Sequence, residues 1–259
     1  MAEDAHALAA AATHVERATG RSRYFLALAL LLLAIVVIGF GRTFFARALF
    51  DVPPIPWYSY LHASLLMSWF LLLVAQTTFI AAHRVDVHRR VGILGAFIAA
   101  GVVSSSLGVL LGLPARVNAG IFFGETPFDP ITARFIVWTD LAALAVFTLY
   151  VSLAVYLRRR SDLHKRLMLL ASIAILGPAL ARIGLLLALH STLPPAVQTL
   201  IQILFFFGLP LTLVVHDLRT TRRVHRATIA GVTAFFVSTL AAIGIALTPT
   251  GEALLTALE

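Results

Sequence analysis

An all-α bundle crossing a membrane seven times is the fold this sequence predicts, and three observations predict it. Apolar residues fill 60% of the 259 positions and charged residues only 12%, where a soluble domain carries about a quarter charged. The apolar residues gather into seven stretches near the ~20 residues a helix needs to cross ~30 Å of hydrocarbon. The charges gather between those stretches, with arginine and lysine concentrated in alternate connections. Barrel strands would show alternating segments of about ten residues instead. Cysteine is absent, which removes disulfides, thiol catalysis and cysteine-held clusters.

Taken in order, the predicted spans cover 24–40, 58–81, 91–113, 134–157, 167–190, 196–216 and 228–248, the first and sixth being the shortest. Residues 1–23 are Ala-rich and mixed in charge, and read as a cytoplasmic or interfacial segment before an uncleaved first span. Pro53, Pro54 and Pro56 bound the second span, and Pro194 and Pro195 open the sixth. Gly108 and Gly112 in the third permit close helix approach. Gly177-Pro178 and Gly208 with Pro210 are expected to kink the fifth and sixth. The connections from Gly41 to Trp57 and from Leu113 to Thr132 are expected to pack as caps. Residues 24–248 thus form one membrane domain, followed by a short outside tail at 249–259.

The basic residues set the orientation, because short loops rich in them stay in the cytoplasm. Fifteen of the twenty fall in one alternating set of connections and four (Arg42, Arg47, Arg116, Arg134) in the other, with Arg182 inside a span. This places the N-terminus inside and the C-terminus outside, in the plasma (inner) membrane of a bacterium. The net charge of +8 then reads as topology and contact with anionic lipids, and no basic soluble face exists to bind nucleic acid. A homo-oligomer or a larger membrane complex is left open.

Two inside connections share a pattern. Arg84-Val-Asp86-Val-His88-Arg89-Arg90 stands beside Arg160-Ser-Asp162-Leu-His164-Lys165-Arg166, and Arg222-Arg223-Val224-His225-Arg226 is a shortened third version. The pattern suggests repeated helical hairpins plus a lone first helix. Asp86 and Asp162 are expected to cap helix N-termini, with the flanking cations as headgroup anchors. The inside histidines do not have the spacing of a metal site: His83 and His88 are five apart, off the three- or four-residue interval that aligns ligands on one helical face.

Ionisable groups within a span cost several kcal/mol and mark function by default. His62, Asp140 and Arg182 are the three assigned to spans, all in the outer half, and Asp140 is read as the sole acid there. Asp140 and Arg182 are expected to pair across neighbouring helices, with His62 placed to join them. His62, Trp69, Gln76 and His83 recur every seven residues on one face of the second helix, so Trp69 and Gln76 join the candidate binding residues. Ser104, Ser105, Ser106, Thr148, Tyr150, Gln198 and Gln202 are candidates to line the same interior.

The stretch from His62 through Gly92, with Asp162 to Arg182, resembles uncharacterised bacterial multi-pass membrane proteins that carry His-Arg loop motifs. More distantly, the chain resembles the cytochrome b561-like architecture, which holds haem b between histidines. That resemblance implies ligands chosen from His62 and His190 on the outer side and His83, His88, His164 or His216 on the inner side. No nucleophile elbow, phosphate loop or HExxH pair is present. Three classes follow: a binding or transport protein for a small molecule, ion or proton, at a His62/Asp140/Arg182 site; a haem b or quinone redox protein; and an assembly subunit of a membrane complex.

Overall fold

The computed structural model describes residues 23–50, 54–113 and 130–256, and every described element is helical. The reading of 1–22 as an interfacial segment, and of most of the 113–132 connection as a cap, falls outside the described residues. The helices are α1 (Arg23–Gly39), α2 (Trp57–Ala81), α3 (Val85–Leu111), α4 (Pro130–Tyr156), α5 (Ser161–Ala174), α6 (Gly177–His190), α7 (Pro195–Thr221), α8 (Arg226–Ala246) and α9 (Pro249–Thr256). Five of them, α2, α3, α4, α7 and α8, are long and apolar enough to cross a membrane. The pair α5 and α6, bent by 46° at their junction, makes a sixth if counted as one span. Helix α1 is apolar but shorter. This is the length and composition of a multi-pass membrane protein.

The expected break at Gly177-Pro178 is present. Proline cannot donate the backbone hydrogen bond that would carry a helix across it, and α5 stops at Ala174 while α6 restarts with Pro178 in its first turn. Pro210, by contrast, lies inside an unbroken α7. Helix α7 is also longer than expected, 27 residues instead of a short span ending at 216. It continues through His216, Asp217, Leu218 and Arg219 because the acid there is buried and partnered.

Helices α4, α5 and α8 form the packed centre. Phe147, Leu169, Leu170, Ile173 and Leu213 are almost wholly buried, and the Tyr150 hydroxyl on α4 donates to the Gly231 carbonyl of α8 at 2.5 Å. Helices α2 and α3 form a hairpin packed against α4, and α3 turns Ile93, Leu94 and Phe97 outward, as a lipid-facing surface does. Gly39 ends α1 against the Ala179 backbone, where a Cβ would collide with the carbonyl. The C-terminal segment is more than a tail. Helix α9 folds onto α4, with the Trp138 indole donating to the Gly251 carbonyl at 3.1 Å and Arg134 pairing with Glu252 at 2.7 Å.

Two connections end on left-handed residues that are not glycine: His83 with φ 57° and Arg222 with φ 55°. At His83 the turn is a Schellman motif, in which Arg84 N–H reaches the Phe79 carbonyl at 2.8 Å and His83 N–H the Ile80 carbonyl at 3.1 Å. The capping assignment for the aspartates is corrected. The N-cap residues of α3 and α5 are Arg84 and Arg160, neither with a side-chain cap. Asp86 and Asp162 lie inside the first turn, where they still meet the positive end of the helix dipole. In the third connection His225 is itself the cap, its Nδ1 accepting from Ala227 N–H at 3.1 Å.

Candidate functional site

The 7-residue stripe on α2 does not line one path. Three of its members are held by different neighbours. His62 Nδ1 and the Ser105 hydroxyl of α3 are hydrogen-bonded at 3.2 Å. Trp69 is almost wholly buried; its indole donates to Ser172 of α5 at 3.1 Å, and its ring meets Phe147 edge-on at 5.0 Å. Gln76 clasps the start of α3, its amide nitrogen donating to the His88 carbonyl and its oxygen accepting from Gly92 N–H, each at 3.1 Å. His83 is exposed beyond the end of α2. Trp69 and Gln76 are therefore packing and bridging groups between helices, as polar residues in membrane bundles commonly are.

The expected pairing of Asp140 with Arg182 is not closed, although the two come near each other at the break in the α5–α6 span. Asp140 projects from α4 toward the first residue of α6, since a Cβ on Gly177 would stand 3.7 Å from Asp140 Oδ1. Arg182 lies one turn further along α6. Its Nη1 donates to the Pro178 carbonyl at 3.0 Å and its guanidinium covers the Phe40 ring at 4.4 Å. The two charges interact electrostatically, and Arg182 also acts on His62. They nevertheless form no ion pair within 4.0 Å. Among the described residues the half-buried Asp140 makes no side-chain hydrogen bond, and the Nε of the half-buried Arg182 is itself buried without an acceptor. An open groove of about 400 Å³ lies between α2 and α3, lined by Tyr58, Leu61, Ser105 and Gly108 among others, and neither Asp140 nor Arg182 lines it.

Of the scattered polar candidates, Ser105 bonds His62, and the Gln202 side chain packs against Gly184 of α6. Thr148 bonds its own helix at Leu144 O, and Gln198 donates to the Leu193 carbonyl at 2.7 Å.

The sequence reading missed a second polar centre, at the basic end of the bundle. Arg166, 4% exposed, and Asp217 and Thr228, both 0% exposed, join α5, α7 and α8. The Arg166 Nη2 pairs with Asp217 Oδ1, and its Nε lies 3.3 Å from Asp217 Oδ2 and 3.2 Å from Thr228 Oγ1. Thr228 donates to Asp217 Oδ2 at 2.5 Å and His225 N–H adds a further bond at 3.1 Å. Asp140 is thus not the sole acid within a long apolar helix, and Arg166 is a buried partner instead of a headgroup anchor. Alongside, His216 stacks on Tyr24 of α1 at 3.9 Å between ring centres, and the Tyr24 hydroxyl bonds Thr212 at 3.0 Å.

His88 and His164, the fourth residues of α3 and α5, meet edge to face with ring centres 6.1 Å apart. His164 Nδ1 donates to the Ala154 carbonyl at 2.9 Å. Among the described residues no group of three or more His, Asp or Glu has the arrangement of a metal site. Of the two histidines the haem resemblance prefers, His62 is bonded through Nδ1 to Ser105 and His190 is the exposed last residue of α6. Comparison with family models, with curated proteins and with solved structures found no match.

Proposed function

We propose that this protein binds a small molecule or ion within the membrane and carries it across, at a site built on Asp140 and Arg182 with His62 beside them. One observation carries this reading: two opposite charges lie near each other at a broken span without closing into an ion pair, and the Arg182 Nε is buried without an acceptor. A structural ion pair closes to hydrogen-bond distance and satisfies its remaining donors, as Arg166 and Asp217 do. Asp140 and Arg182 instead hold binding capacity in reserve. Broken helices that place a charge near the middle of the bundle are a recurring way to build transport sites.

The same proposal places seven spans in the bilayer, counting α1 and treating α5–α6 as one, with the basic end in the cytoplasm against anionic lipid and the Asp140–Arg182 site in the opposite half. The setting is the plasma membrane of a bacterium. Asp140→Asn and Arg182→Gln, singly and together, test the site in detergent-purified protein. A screen of organic acids, amines, amino acids and inorganic ions by thermal shift is expected to find a stabilising compound, and both single variants are expected to lose that shift while melting as the unliganded parent does. The reading fails if each single variant melts lower and the double variant recovers, because the pair is then a structural one.

A further inference from the structure

The geometry assigns the Asp140–Arg182 site to a small zwitterion, a molecule carrying an ammonium and a carboxylate together. This rests on the site proposed above and names its ligand class. The site's own charges cancel, and they stand apart without closing on each other: Asp140 against Gly177 at the start of α6, Arg182 between the Pro178 carbonyl and the Phe40 ring. A simple anion on Arg182 would leave the region negative, and a simple cation on Asp140 would leave it positive. Either leaves an uncompensated charge among apolar helices, which is costly. A ligand with both charges leaves the site neutral, with an acceptor for the Arg182 Nε and donors for the Asp140 carboxylate.

The hydrogen-bonding inventory agrees. The buried Arg182 Nε needs an acceptor, which a ligand carboxylate provides in the planar geometry guanidinium favours. Among the described residues no donor reaches Asp140, and an ammonium supplies up to three. The Phe206 ring abuts the same Gly177 position as Asp140, with Cε2 also 3.7 Å from the point where a Cβ would stand. An ammonium held by Asp140 therefore has an aromatic neighbour, a further favourable contact.

The test uses the full chain in lipid nanodiscs and matched probes: glycine, β-alanine and 4-aminobutyrate as zwitterions, acetate and propionate as acids, methylamine and propylamine as amines. Calorimetry or thermal shift on the parent protein is expected to show at least one zwitterion binding ten-fold or more tighter than every acid and amine. Asp140→Asn is expected to bring that zwitterion to the level of the matching acid, and Arg182→Gln to that of the matching amine. If an acid or amine binds as well as the best zwitterion and needs Asp140 or Arg182, the charge-pair assignment is overturned while the site itself stands. If none of the probes binds the folded parent, the assignment is also overturned. The parent comparison decides even where a variant does not fold.

Discussion

At the scale of single residues, the contrast between the two charge pairs separates architecture from binding. Asp217 accepts bonds from Arg166, Thr228 and the His225 backbone, so nothing about it is left for a ligand. Removing one member leaves the other buried and alone, a loss of about 3–5 kcal/mol. Arg166→Met and Asp217→Leu are each expected to lower the melting temperature strongly in detergent, and the double variant to recover most of the loss. A double variant no better than the worse single one would show that the contact is not a closed pair. This network was legible in principle. Leu209, Leu213 and Asp217 recur at four-residue intervals on α7, and all three are buried. The string from His216 to Arg219 looks like a loop because three of its four residues are polar, and it is the company of Arg166 that makes it helix.

At the scale of elements, backbone chemistry decided most boundaries. Pro178 ended α5 as the sequence indicated, because a missing N–H is a local fact. The two left-handed terminators were not legible, since glycine is the residue that marks such positions. At His83 a side chain occupies a conformation that costs an L-residue roughly 1 kcal/mol or more. His83 is exposed and its ring has no hydrogen bond that depends on this geometry among the described residues. His83→Gly is therefore expected to stabilise the protein by about 0.5–1 kcal/mol, read as a higher melting temperature, whereas His83→Ala leaves it nearly unchanged. A lower melting temperature for the glycine variant would mean the imidazole itself holds the α2–α3 turn.

At the scale of the whole molecule, the absence of cysteine makes topology directly measurable. Single cysteines at Arg159 and at Leu193, on connections at opposite ends of the bundle, are expected to react differently in intact cells with a membrane-impermeant thiol reagent. Leu193→Cys should label and Arg159→Cys should label only after lysis; the reverse pattern would invert the proposed orientation. The helical class and the presence of several membrane-length apolar helices were legible in the sequence alone, because hydrophobic length and proline chemistry act locally; against the seven spans read there, the described residues hold five such helices, or six with α5–α6 as one. Which polar residues are finished bonds and which are open was decided only by the tertiary structure. Trp69, Gln76, Asp140, Arg166, Arg182 and Asp217 are all polar groups in or beside apolar helices, and nothing in the chain order separates them. Packing gave Trp69 a serine, Gln76 a helix end and Asp217 a guanidinium, and left Asp140 and Arg182 within reach of each other but unclosed. A side chain's partner is a property of the helix packed beside it, and that helix can lie a hundred residues away.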